Sequence, residues 1–308
     1  MSTTALLQQQ FVSCMLGGAI GDAWGSSYEN QPIQTATTIF YVGGQQEPSR
    51  VWSFTDDTQL TMATCETLCL PGGSNPALLA GNFVRYYREK KLTGIGASTL
   101  KALVELQAGG HWSQVGRQGE FAAGNGAAMR IAPFAFFDHV TRENIRDACR
   151  ITHRNDEAYV GALAIVLCLK AVITGAWTGD NNLFDLIIPE LPDTRVRDRL
   201  IELSSISNTT GIADIARLGN DGYVVNSVPF AIFTAGQVLR LGFPAMIQGI
   251  IEAGGDTDTN ASLAGQIAGA LIGVDNLTPE LTAKLAKVDH YDWVWSIIES
   301  TKTHTGQH

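Results

Sequence analysis

Gly254-Gly255-Asp256-Thr257-Asp258-Thr259-Asn260 runs directly into Ala-Ser-Leu-Ala-Gly-Gln-Ile-Ala-Gly-Ala-Leu-Ile-Gly at 261–273. In the second stretch Leu263, Ile267, Ala270 and Leu271 recur at the spacing of one helix face. The heptad therefore stands at a helix entrance, where short oxygen side chains cap free N–H groups and carboxylates suit the positive end of the helix dipole. A single Asp or Thr is enough for a cap, and this loop carries both kinds twice over. Asp256 and Asp258 in alternate positions, with Thr259 beside them, also fit a hard cation, which prefers carboxylate and hydroxyl oxygen to nitrogen or sulfur. The heptad reads as half of a metal site.

Its partner stands far away in sequence, at Ser53-Phe54-Thr55-Asp56-Asp57-Thr58, again followed by a helical pattern through Leu60, Ala63 and Leu68. Adjacent carboxylates repel unless a cation neutralises them. Two helix starts, each with Thr and paired Asp, are thus poorly explained as two caps, and together they predict one shared oxygen-ligated site for two ions.

With Gly21-Asp22-Ala23-Trp24-Gly25-Ser26-Ser27-Tyr28-Glu29 near the start, and with Gly124-Asn125-Gly126-Ala127-Ala128-Met129-Arg130 and Thr152-His153 in order between the acidic loops, the chain resembles the ADP-ribosylglycohydrolases of the dinitrogenase-reductase-activating type. The resemblance runs from about residue 11 to residue 273. It implies an all-α fold, a compact orthogonal multi-helix bundle, with two Mg2+ or Mn2+ ions that hold the distal ribose of ADP-ribose. It further implies that Thr55, Asp56 and Asp57 hold one ion, that Asp256 and Thr259 hold the other, and that Asp258 bridges them. Glu29 and Asp57 become the catalytic candidates, and Asn125, Gly126 and His153 the residues facing the ligand.

Taken without the resemblance, several of these residues have plainer readings. Glu29 would be a solvated surface charge. His153 would be a satisfied polar residue. Gly124–Arg130 would be a tight turn as readily as a diphosphate cradle, because it is neither a Walker motif nor a complete Gly-x-Gly-x-x-Gly. Asp22 suits a loop or helix-end hydrogen bond. Arg130 suits a structural role, and Trp52 and Phe54 suit the core.

At 308 residues, 45% of them hydrophobic, the chain can bury a large core, and without linker, low-complexity tract or repeat it reads as one domain over 1–308. A net charge of −9 argues against a nucleic-acid partner bound through phosphates. The N-terminus lacks the pattern of a signal peptide, and the cysteines sit in apolar patterns as reduced core thiols, so the expected compartment is the cytoplasm. The apolar helix from Ala158 to Ala176, interrupted by Lys170, falls short of the ~20 apolar residues of a membrane span. Thr38–Val42 reads as strand-like, residues 177–222 as peripheral, Thr278 as a helix cap, and the segment from Ser300 on as frayed.

The expected activity is metal-dependent removal of ADP-ribose from a modified target, with an arginine N-glycosidic linkage on protein favoured over serine- or nucleobase-linked ADP-ribose. Two other classes share the residues. One is a binuclear phosphohydrolase. The other is an antitoxin-type protein that binds a cognate ADP-ribosyltransferase toxin.

Overall fold

The computed structural model describes residues 2–29 and 50–306. Its helices are, in order, α1 (Thr3–Gly25), α2 (Asp56–Leu68), α3 (Pro76–Arg88), α4 (Ala97–Gln107), α5 (Arg142–Arg150), α6 (Asp156–Ile173), α7 (Leu183–Ile187), α8 (Arg195–Ser204), α9 (Ile212–Ala216), α10 (Val224–Ala235), α11 (Val238–Leu241), α12 (Phe243–Ala253), α13 (Thr257–Ile272), α14 (Pro279–Leu285) and α15 (Tyr291–Lys302). Among the described residues the only sheet is a parallel pair of two-residue strands, β1 (Arg117–Gln118) and β2 (His153–Arg154). The fold is all-α, as the resemblance implies. The strand-like reading at 38–42 lies outside the described residues.

Local sequence explains most helix starts. Thr55, Asn75, Asn155 and Thr194 each accept a hydrogen bond from a backbone N–H of the following first turn, and Thr141 with Asn144 forms a reciprocal capping box. α4 and α13 differ, since neither Gly96 nor Asp256 offers a side-chain cap. Both of those open helix ends face the cleft described below.

The framework is set by α1 against α13. Gly17, Gly21 and Gly25 recur at i, i+4 and i+8 along one face of α1. A Cβ on Gly17 would sit 2.2 Å from the carbonyl oxygen of Gly265, one on Gly21 2.1 Å from that of Ala261, and one on Gly25 2.4 Å from that of Thr257. Such separations lie far inside van der Waals contact, so only glycine lets the two backbones meet here. The close approach brings Asp22 on α1 alongside the first turn of α13.

Buried apolar residues from Phe11 to Ile298 form one continuous cluster, with Leu163, Ile165, Val166 and Leu169 of α6 inside it. α6 is the buried helix its all-round apolar sequence predicts. Trp52 and Phe54 are buried, with Trp52 stacked on Trp24, so both belong to the core. Cys14, Cys65, Cys149 and Cys168 are free buried thiols, as their apolar surroundings predict, and Cys69 is free and half-buried. Among the described residues no helix is long and apolar enough to cross a membrane.

Two readings of the C-terminal part are corrected. Thr278 makes no side-chain cap and adopts φ +65°, and the proline that follows starts α14 instead. The segment after Ser300 does not fray: α15 continues to Lys302, and Thr301 and Thr305 are buried. Polar composition misled there, because both hydroxyls are turned inward, that of Thr305 donating to the Lys302 carbonyl.

Candidate active site

The site is built from Asp22 outward. This carboxylate is buried in α1 and accepts from the Thr55 backbone N–H at 3.0 Å, the Thr55 hydroxyl at 2.7 Å, the Thr58 N–H at 3.2 Å and the Thr58 hydroxyl. It is the structural acceptor that its place at the end of a helix suggests. Its effect is to fasten the first turn of α2 to α1, which fixes Asp56 and Asp57. The Asp56 N–H is held from the other side by the Thr93 carbonyl at 2.8 Å.

α13 brings the second acidic loop to the same place. Thr257 donates its hydroxyl to the Gly25 carbonyl at 2.9 Å, and the Asp256 N–H donates to the Asn220 carbonyl at 3.0 Å. Across the junction the Thr259 hydroxyl donates to Asp57 Oδ2 at 3.1 Å, and Asn125 Nδ2 donates to Asp256 Oδ2 at 2.7 Å. The two half-sites read from the sequence therefore meet, and the Gly124–Arg130 stretch meets them too.

Glu29, Asp56, Asp57, Asp256, Asp258 and Thr259 all line a cleft of about 270 Å³. Asn125, Gly126 and His153 form a wall of it. Thr55 does not line the cleft, because its hydroxyl points to Asp22, with Asp57 Oδ2 at 3.5 Å. Glu29 stands exposed at the rim.

Asp22, Asp56, Asp57 and Asp258 are held above the ordinary carboxylate pKa range. Burial is the main cause for Asp22, Asp56, Asp57 and Asp258 alike. Like charge adds to it, from Asp22 on Asp56, from Asp258 on Asp57, and from Asp256 on Asp258. At Asp22 the Thr55 and Thr58 hydrogen bonds pull the other way. Among the described residues no ion pair reaches any of these groups.

His153 is buried, with Nδ1 2.7 Å from the Thr152 hydroxyl. Burial, with Arg130 and Arg117 adding to it, lowers its pKa to about 3, so the ring is neutral near pH 7. It packs under the glycine loop: a Cβ on Gly126 would lie 2.9 Å from His153 Cε1, and one on Gly124 3.2 Å from Nε2. Arg130 holds the same loop from inside. Its guanidinium is buried over the Phe83 ring and donates to the Gly126 carbonyl and, at 2.7 Å, to the Thr152 hydroxyl. The structural role expected of Arg130 is the one it has.

The opposite wall, Gly94 and Gly96–Thr99, lies outside every motif that marks the site in the sequence. A signal was present, since Thr93-Gly94-Ile95-Gly96 places Gly-x-Gly directly before a helix start. Gly94 takes φ +75°, which favours glycine, and the uncapped end of α4 faces the cleft there. Gly222, also on the lining, carried no comparable signal.

Whether these residues fit a metal centre is answered by their chemistry. Among the described residues no three or more His, Cys, Asp and Glu side chains make a ready cage by themselves. The donor set is instead mixed, with the Thr55 and Thr259 hydroxyls set among the carboxylates. Asp57 Oδ1 is buried without a hydrogen-bond partner, a state that costs about 1–3 kcal/mol or more unless something positive or protic occupies the space beside it. Several buried carboxylates, an orphaned oxygen and oxygen-only donors fit a hard divalent cation.

Fold and cleft together define a helical protein with a buried, oxygen-lined site where two distant helix starts meet. The chain belongs to the ADP-ribosylglycohydrolase family, whose family model matches residues 3–307, and it is a hydrolase acting on ADP-ribose linkages. It is 29% identical to ADP-ribosylarginine hydrolase Tri1 of Pseudomonas putida (strain GB-1), over 90% of this chain and 74% of that protein. It is 25% identical to ADP-ribosylhydrolase ARH3 of Danio rerio, over 93% of this chain and 89% of that one. In fold it is similar to a solved chain titled ADP-ribosylglycohydrolase-related protein complex, with a TM-score of 0.71 at 24% identity, covering 97% of this chain and 99% of the other.

Proposed function

We propose that this hydrolase releases ADP-ribose from arginine side chains of modified proteins, using two divalent cations, magnesium or manganese. The arginine linkage is supported by the likeness to the relative named for ADP-ribosylarginine hydrolysis. The observation that carries the metal reading is the contact of Thr259 with Asp57, which joins the two acidic loops around an orphaned carboxylate oxygen.

In this reading Thr55, Asp56 and Asp57 would hold one cation, Asp256 and Thr259 the second, and Asp258 would serve both, Thr55 through the oxygen lone pair it keeps while its hydrogen goes to Asp22. Bound there, the cations would supply Lewis-acid orientation of the vicinal ribose hydroxyls and offset the repulsion among the carboxylates. Asn125 and Gly126 hold the diphosphate side of the ligand, with the neutral His153 ring as their support. Glu29 and Asp57 stand at opposite depths of the cleft as the carboxylates that move a proton to or from the attacking water and meet the positive charge developing at the anomeric carbon. The single-domain organisation fits a site assembled from both ends of the chain.

The test is incubation with an arginine-ADP-ribosylated protein, with magnesium and with chelator, reading the released nucleotide by mass spectrometry. Free ADP-ribose is expected only with the metal, and not from Asp258→Ala. Release that is unaffected by chelator would remove the metal reading. Release from serine- or nucleobase-linked substrates alone would move the linkage.

A further inference from the structure

Strand β2 faces two ways. Successive side chains of a strand point to opposite sides, and here His153 lines the cleft while Arg154 and its strand neighbour Gln118 line a second cavity of about 430 Å³. That cavity is also bounded by Trp112, Arg150, Asn155 and Asp156.

We propose that this second cavity is a nucleotide site, separate from the catalytic cleft and joined to it through β1 and β2. Three observations carry it. The first is charge: neither Arg150 nor Arg154 takes part in an ion pair among the described residues, although six other arginines do. Arg154 spends one Nη1 donor on the Gln114 carbonyl at 3.1 Å, and Arg150 is exposed at the end of α5. In a chain of net charge −9, two unpaired guanidinium groups on one concave surface suit a phosphate, which they bind with paired donors.

The second is the half-buried Trp112 indole on the same surface, a flat face for a base, with an arginine's positive charge nearby. The third is Asp156 at the start of α6, a carboxylate that would oppose a bare anion but accepts hydrogen bonds from the vicinal hydroxyls of a ribose. An aromatic plane, a hydroxyl acceptor and an arginine pair match base, sugar and phosphate in turn. Inorganic phosphate alone would engage neither the indole nor the carboxylate on this surface.

Because His153 and Arg154 are neighbours in β2, a ligand that fixes Arg154 also fixes the strand that supports the Gly124–Gly126 loop. The nucleotide has two sources, a free nucleotide or the next nucleotide unit of a longer ADP-ribose modification.

The test is calorimetric titration of the full chain with AMP after ADP-ribose has saturated the cleft. AMP is expected to bind still, and Trp112→Ala and Arg150→Glu are each expected to weaken that binding at least tenfold while ADP-ribose affinity stays within twofold. AMP binding that vanishes once ADP-ribose is present, or that persists in both variants, overturns the proposal. Hydrolysis assays separate the sources. If the ligand is free nucleotide, AMP changes the rate on a mono-ADP-ribosylated substrate and Arg150→Glu removes the effect. If it is part of the substrate, Arg150→Glu raises KM several-fold for an ADP-ribose dimer and leaves KM for the single unit unchanged. If neither arm moves, the binding is adventitious and the proposal fails. The titration does not depend on which linkage the cleft cleaves, so its failure is distinct from failure of the arginine reading.

Discussion

Gly21 of α1 and Ala261 of α13 meet backbone to backbone: a Cβ on Gly21 would lie 2.1 Å from the Ala261 carbonyl oxygen and 2.3 Å from its carbon. Neither atom belongs to a side chain that can swing aside. Gly21→Ala must therefore push two helices apart, and Asp22 moves with α1. Overpacking of this kind costs about 1–3 kcal/mol or more. The expected result in urea unfolding is a loss in that range with activity falling further than stability, and a change below about 0.5 kcal/mol would contradict the contact.

Asp57→Asn removes one member of a buried group of like charges while keeping its shape. The apo protein is expected to be as stable as the parent or more so, whereas the rise in melting temperature on adding magnesium should disappear together with ADP-ribose release. Paired thermal scans with magnesium and with chelator check this. A magnesium-induced shift of parental size in the variant would show that Asp57 holds no cation.

His153 gives a pH dependence whose sign is fixed. Its folded pKa of about 3 lies below the ordinary value of 6.5, so between those limits the unfolded chain binds the extra proton and stability falls as pH falls. The slope from this group reaches about 1.4 kcal/mol per pH unit. From pH 7 to pH 5 the advantage of the parent over His153→Gln should shrink by roughly 2 kcal/mol. A difference that stays constant over that range would mean that the imidazole is protonated without penalty in the folded state.

Arg130 is buried, and its fork joins the Gly126 carbonyl to Thr152. Arg130→Lys keeps the charge but cannot span both acceptors. The variant is expected to lose about 2–4 kcal/mol and, where it still folds, to show KM for the ADP-ribosylated substrate raised more than kcat is lowered, because the loop that faces the ligand is loosened. Steady-state kinetics on folded material decides, and an unchanged KM would detach Arg130 from the loop's geometry.

Much of this site was legible because its residues are chemically extravagant for their position. Thr55-Asp56-Asp57 and Asp256-Thr257-Asp258-Thr259 offer more oxygen than a helix start uses, and the structure brings both to one cleft with Glu29. The helices were legible from their apolar period, as in α6 and α13. Less was readable where the signal is an absence. The wall of Gly94 and Gly96–Thr99 is made of small residues, which leave little chemical mark beyond the glycines. Thr55 shows the converse limit, since a hydroxyl in the right motif is here turned to Asp22, and sequence spacing does not fix a rotamer. Thr301 and Thr305 are buried with no apolar pattern to announce it, Thr305 because its hydroxyl is satisfied by the Lys302 carbonyl and Thr301 because it faces Cys65 and Cys69.

The pairing of α1 with α13 also imposes an order on synthesis. The glycine face of α1 packs on a partner that begins at Thr257, 232 residues after Gly25. A nascent chain that stops before Asp256 contains Asp22, Asp56 and Asp57 and lacks Asp256, Asp258 and Thr259 altogether. Products truncated there are therefore expected to be inert, because the two acidic loops meet only after α13 has been made.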